Sequence, residues 1–182
     1  FLMKNCDVYI TGSNAYFMSG ELATLLSGRY VELRMLPLSF KEFCSAFENM
    51  SAYSVRDKFS LYIENGSFPY TAKFEQTGRE VKEYLNDIYN SVLLKDIVAR
   101  LNISDVANLE NITKFLFYNI GSKVSPIKIA NTLKSAGKSI DQKTVDKYIH
   151  GLTDSLLFYE AKRYNIKGKQ FLTTQNKYYA VD

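Results

Sequence analysis

Gly137-Lys138-Ser139 is the tract of this 182-residue chain that comes nearest to a catalytic motif. Together with Thr132 to Ala136 it matches the closing half of a phosphate-binding loop, in which backbone N–H groups and a lysine surround an anion. Thr132, however, stands where the opening glycine belongs. The tract also falls between two helical patterns instead of after a strand, so it reads as the turn of a helix-turn-helix. His150 has no Cys, Asp or Glu set at metal spacing beside it, and Cys6 and Cys44 with a single histidine do not make a zinc site. Glu80, Glu83 and Asp87 share one helical face and read as solvated, and Lys95-Asp96 reads as part of an ion-pair network.

A second kind of chemistry is recognition of an anion. Gln142, Lys143, Asp146, Lys147 and His150 lie opposite the apolar stripe Val145, Ile149 and Leu152, and Lys162, Arg163, Lys167 and Lys169 cluster a little further on. Lysines bind phosphates, and Gln142 can read a base edge from a groove. Gln142, Lys143, Lys147, Lys167 and Lys169 are therefore the candidate nucleic-acid contacts. Asp146 in the middle of that face and the scarcity of arginine fit a protein-docking surface equally well. The tyrosines, Tyr178-Tyr179 included, read as packing residues; aromatics interleaved with basic residues on one exposed sheet, as a single-strand platform needs, are not visible in the sequence.

These residues must be positioned by elements. Asp7 to Ile10 is a short β-type run stopped by Thr11-Gly12-Ser13-Asn14; a helix follows from Ser19 with Gly28 as its stop, and Tyr30 to Met35 alternates with period two up to Pro37. Helices are expected around Phe40 to Phe47, from Val55 to Asn65, and from Gly78 to Leu101, where Val81, Leu85, Ile88 and Val92 form a stripe. Asp105 caps a helix bearing Leu109, Ile112, Leu116 and Ile120. Ser125-Pro126 opens the next, with Ile127, Ala130 and Leu133 inward, and Asp141 caps a third bearing Val145, Ile149, Leu152 and Leu156. Leu157 to Asn165 and Gln170 to Thr173 make a hairpin about Gly168. Three helices and a hairpin in that order predict a winged helix-turn-helix.

Composition bounds the rest. With 46% hydrophobic and 23% charged residues the chain is a folding sequence, outside the disordered, collagen-like and disulfide-scaffold classes. Net charge is −1 over residues 1–100 and +5 over 101–182, so the basic excess belongs to the predicted winged helix. No apolar run nears the ~20 residues that span a bilayer. The two cysteines and the lack of a signal-peptide pattern predict a reducing, cytoplasmic setting without membrane contact. The first residue is Phe, which reads as a piece of a longer protein.

Several blocks carry a family resemblance: Asp7-Val8-Tyr9-Ile10-Thr11-Gly12-Ser13-Asn14, Leu25-Leu26-Ser27-Gly28-Arg29-Tyr30, and Leu36-Pro37-Leu38-Ser39-Phe40-Lys41-Glu42-Phe43. Gly66-Ser67-Phe68-Pro69, Leu94-Lys95-Asp96-Ile97, Thr144 to Tyr148 and Lys177 to Asp182 continue the pattern in order. In this order they resemble the end of the ATPase core and the following regions of a widespread family of bacterial and archaeal AAA+-type ATPases, with a C-terminal winged-helix region and a C-terminal domain of unknown function. The resemblance implies a P-loop and an acidic metal-binding motif before Asp7, with ATP and Mg bound in the intact protein and no hydrolysis by this chain alone. It further implies catalytic roles for Ser13, at the tip where such proteins position water or sense the γ-phosphate, and for Arg29, placed to reach a neighbouring subunit's nucleotide. Thr11 and Asn14 are the implied cofactor-binding neighbours. Taken locally, Ser13 is also a helix cap and Arg29 a helix C-terminal charge favoured by the dipole.

The predicted fold class is thus α+β and mainly helical. A remnant strand-helix-strand of the ATPase core would occupy residues 1–45, a helical middle region 46–104, and the winged helix 105–182. The expected partners are a second copy through the truncated core, and duplex DNA or a protein at the winged helix.

Overall fold

A computed structural model of the chain describes residues 6–10, 28–31, 33, 35–46, 52–73, 78–162 and 175–182. Ser39 opens α1 (Phe40–Ala46) through a reciprocal capping box. Its N–H and hydroxyl donate to Glu42 Oε2 at 2.8 and 2.7 Å, and the Glu42 N–H donates back to Ser39 Oγ at 3.3 Å. Those bonds, the hydroxyl's foremost, hold the Glu42 carboxyl below its ordinary range. Ser54 caps α2 (Val55–Asn65), and Phe43 is buried between the two helices against Leu38, Leu61 and Tyr62. The Tyr62 hydroxyl donates to the Leu38 carbonyl at 3.0 Å, which ties the entry of α1 to α2.

A 3₁₀ turn, Pro69–Lys73, precedes the long helical rod. The rod begins as α3 (Gly78–Asn90), widens into a π-helical stretch at Ser91–Val98 and closes as α4 (Ala99–Leu101), where Asn102 takes the left-handed conformation with φ +48°. Three capped helices follow: α5 (Val106–Tyr118), α6 (Pro126–Ser135) and α7 (Gln142–Asp154). Asp105, Ser125 and Asp141 each accept the N–H of the residue three positions on, the geometry that satisfies an orphan donor of a first helical turn.

Three short strands complete the fold: β1 (Lys123–Val124), β2 (Phe158–Ala161) and β3 (Asn176–Ala180), antiparallel in the order β1-β3-β2. Val124, Phe158 and Tyr178 project from this sheet into one continuous core with Leu109, Ile112, Leu116, Ile129, Val145 and Leu152, and Ile97 of the π-helical stretch enters the same core. The architecture is α+β, mainly helical with one small sheet.

Several expectations need correction. Residues 7–10 and the described part of 30–35 form no strand, and Tyr9, Val31 and Met35 are 85%, 86% and 88% exposed. A strand is made by its ladder partner, and alternation alone supplies none. Ile127 is 53% exposed while Ile129 is fully buried, because the inner face of α6 runs through Ile129, Ala130 and Leu133. Ile120 and Leu156 lie beyond their helices and are exposed. Strand β1 was not foreseen, since two residues are too few to show a period. The described strand that returns to β2 is Asn176–Ala180; Gln170 to Thr173 lie outside the described residues.

Candidate functional site

The exposed side of α7 is the part of the predicted nucleic-acid face that the structure describes. Gln142 and Lys143 are exposed in its first turn, behind the Asp141 cap. The Asp141 carboxylate accepts the Thr144 N–H at 2.7 Å; this bond, helped by the Thr144 hydroxyl and by Lys143, holds the carboxyl below its usual range. An anionic cap at the head of the helix sits where the helix dipole is positive, so Asp141 competes with any phosphate for that end.

Lys147 has a second engagement. Its Nζ donates to the Leu101 carbonyl at 2.7 Å, filling one of the orphan acceptors at the end of the rod. One turn further on, Gly151 lets the rod approach: a Cβ there would lie 2.6 Å from Leu101 Cδ1 and 3.1 Å from Ile97 Cγ2. Arg100 completes the seam, its Nη2 donating to the Gly151 carbonyl at 3.3 Å and to Ser155 Oγ at 2.8 Å, while the Ser155 hydroxyl donates to Asp96 Oδ2 at 3.1 Å. One flank of α7 is therefore fastened to the rod. The remaining face offers Gln142, Lys143 and His150, all exposed.

The Gly-Lys-Ser turn does not form a phosphate cradle. The N–H groups of Ala136, Gly137 and Lys138 are all directed at carbonyls of α6, Gly137 donating to Lys134 at 2.9 Å and Lys138 to Leu133 at 3.0 Å. Gly137 takes φ +78° as the turn requires. Of the residues implied for ATP chemistry, Arg29 is described and exposed, beside Gly28 with φ +73°, the left-handed conformation in which helices commonly stop. Ser13, Thr11 and Asn14, like Lys167 and Lys169, lie outside the described residues. Among the described residues no group of three or more His, Cys, Asp or Glu is gathered for a metal ion. Arg29 is the one member of the implied ATP and Mg set among the described residues, and a lone exposed guanidinium does not by itself make a site for either.

The structure separates the tyrosine pair that had been read as packing. Tyr178 is buried, its hydroxyl donating to Glu160 Oε1 at 3.2 Å, whereas Tyr179 is 40% exposed on the opposite face of β3. Period two forces that split. It was open to the sequence reading once 176–180 was recognised as a strand.

A mainly helical fold with a small antiparallel sheet is the class that the geometry of the described residues defines. Residues 2–44 match the model of an AAA domain. Residues 56–182 match a domain of unknown function, DUF8612, and the chain belongs to that family. An uncharacterized protein of Haemophilus influenzae is 44% identical over 179 residues, covering 98% of this chain and 44% of that protein. An uncharacterized protein of Methanocaldococcus jannaschii is 28% identical over 185 residues, covering 97% of this chain and 41% of that protein. The chain thus spans less than half the length of these curated relatives. No solved structure matches it. Among the described residues, no helix is long and apolar enough to cross a membrane.

Proposed function

We propose that the chain is part of an AAA-type P-loop ATPase: residues 1–45 end the ATPase core, 46–104 form a helical middle region, and 105–182 form a winged helix-turn-helix. The observation that carries this reading is the AAA-domain match over residues 2–44. In this reading Arg29 is the residue that acts on nucleotide, since a guanidinium stays charged and binds phosphoryl oxygens by forked hydrogen bonds. Ser13 is its partner in the proposal, with Thr11 and Asn14 beside it; ATP and Mg belong to the intact protein. The test compares that protein with this chain alone. The intact protein is expected to turn over ATP and the chain to be inert; Arg29→Ala is expected to cost about 10³-fold in kcat, in the range of an arginine finger. Turnover or tight nucleotide binding by residues 1–182 alone overturns the reading.

A second activity, duplex DNA binding, is favoured by one observation: the order α5-β1-α6-α7-β2-β3 with the sheet arranged β1-β3-β2. In a winged helix α7 is the recognition helix. Gln142 and Lys143 are the contacts, with Lys147 at the edge and Lys167 and Lys169 in the wing. Binding is expected to fall steeply with salt, and Lys143→Ala to flatten the slope of log K against log salt by about 0.9. Absence of duplex binding at low salt would leave this surface to a protein partner.

A further inference from the structure

The outer face of the three-stranded sheet carries a set of residues that neither the ATPase reading nor the α7 reading uses. Directly paired residues of an antiparallel ladder project to the same side. Phe158, Glu160, Asn176, Tyr178 and Ala180 take the inner side, as the buried Phe158 and Tyr178 and the Asn176–Glu160 hydrogen bond at 2.6 Å require. The outer side is then fixed by register: Tyr159 stands opposite Tyr179, and one row on, Lys177 stands between Lys123 and Ala161. Tyr159 and Tyr179 are 39% and 40% exposed.

Two features of this face are costly for a surface with no partner. Lysines directly opposite each other across a ladder repel, yet Lys123 and Lys177 are paired in that way. Two exposed tyrosines side by side expose apolar ring area next to that positive row. The flank beyond Tyr179 is Gly121, which extends the sheet by donating its N–H to the Tyr178 carbonyl at 3.0 Å. The Tyr179 ring lies beside Gly121, where a Cβ would come within 3.5 Å of Cε1, and Tyr179 still remains 40% exposed.

We propose that this face binds single-stranded nucleic acid, with bases stacked on Tyr159 and Tyr179 and the backbone neutralised by Lys123 and Lys177. Aromatic rings offer a surface to any base, and a row of cations beside them matches the phosphate spine. Lys162 lies near the edge but shares its charge with Glu160 at 3.6 Å, so it contributes less. The face is distinct from α7: a duplex enters a groove-reading helix, whereas this sheet needs unpaired bases.

Fluorescence anisotropy of the purified chain with labelled 20-mers of deoxythymidine and of uridine, against a 20-base-pair duplex, tests the assignment. Either single strand is expected to bind and to quench the intrinsic tyrosine emission, which no tryptophan obscures. Tyr159→Ala and Tyr179→Ala are each expected to weaken binding about 5- to 150-fold, while Tyr159→Phe and Tyr179→Phe retain it. Lys177→Ala should lower the salt slope by about 0.7. Failure of both single strands to bind at low salt overturns the proposal, as does binding that the double tyrosine-to-alanine variant leaves intact in a chain whose circular dichroism is unchanged. Self-association abolished by the tyrosine changes, without oligonucleotide binding, also overturns it in favour of a protein interface. Because no arm measures ATP turnover, the outcome is independent of the ATPase reading.

Discussion

Asp182 shows how much one side chain can hold. Its Oδ1 accepts both the N–H and the hydroxyl of Ser67, at 2.8 and 2.5 Å, across a separation of 115 residues, and Ser67 is buried. Gly66 makes room for it: a Cβ there would lie 2.9 Å from Asp182 Oδ2, at a φ of +69° that a side chain rarely adopts. Hydrogen bonds to a charged acceptor contribute about 1.5 to 3 kcal/mol, so Asp182→Ala should lose about that in a urea melt, and a cycle with Ser67→Ala should assign most of it to the pair. Tyr178 sets a different dependence. Burial first, then the Glu160 carboxylate, pushes its hydroxyl above the ordinary tyrosine value of 10. The unfolded chain therefore gives up this proton first; the contribution is whole below about pH 10 and is lost as pH climbs further. Tyr178→Phe should make stability fall less steeply above about pH 10, with a residual slope because Tyr84, Tyr89 and Tyr148 are shifted upward too. Equilibrium unfolding as a function of pH measures the difference.

Among the elements, the helices were legible because their signals are local. Asp105, Ser125 and Asp141 stand at the starts that their capping chemistry predicts, and α5, α6 and α7 follow them. What escaped is set by partners far along the chain. Nothing near Lys123 announces a two-residue strand whose partner is at 176–177, and the π-helical widening at Ser91–Val98 has no periodic signature. The candidate site divides in the same way: Gln142 and Lys143 were readable from the face of α7, but the bond from Lys147 to Leu101 depends on how the rod packs. The outer sheet face was missed because it is assembled from three strands, of which only one had been recognised. The rod-α7 seam carries its own prediction. Alanine is the better helix former by about 1 kcal/mol, yet Gly151→Ala should destabilise by about 1 to 2 kcal/mol, because overpacking against Leu101 and Ile97 outweighs that gain. A thermal melt decides the sign.

At the scale of the molecule, burial is uneven. The core around Leu109, Ile129, Val145 and Phe158 joins every element from the π-helical stretch to β3, while the α1–α2 pair has Phe43 as its one buried hydrophobic in the described cluster. Amides of α1 and α2 should therefore exchange with deuterium through openings of much lower free energy than those of α5 and α7; equal protection in both would contradict this. The AAA-domain match ends at residue 44, inside α1, and the DUF8612 match begins within α2. The bond between Ser67 and Asp182 thus reaches from near the start of the DUF8612 match, which begins at residue 56, to its last residue. Contacts so far apart in sequence form late, after the intervening chain has organised. During synthesis the Gly66-Ser67 turn leaves the ribosome more than a hundred residues before its acceptor. A nascent chain that has finished α7 but not β3 therefore has a waiting receptor with nothing to receive, and the Gly66-Ser67 turn is pinned only once Asp182 has followed.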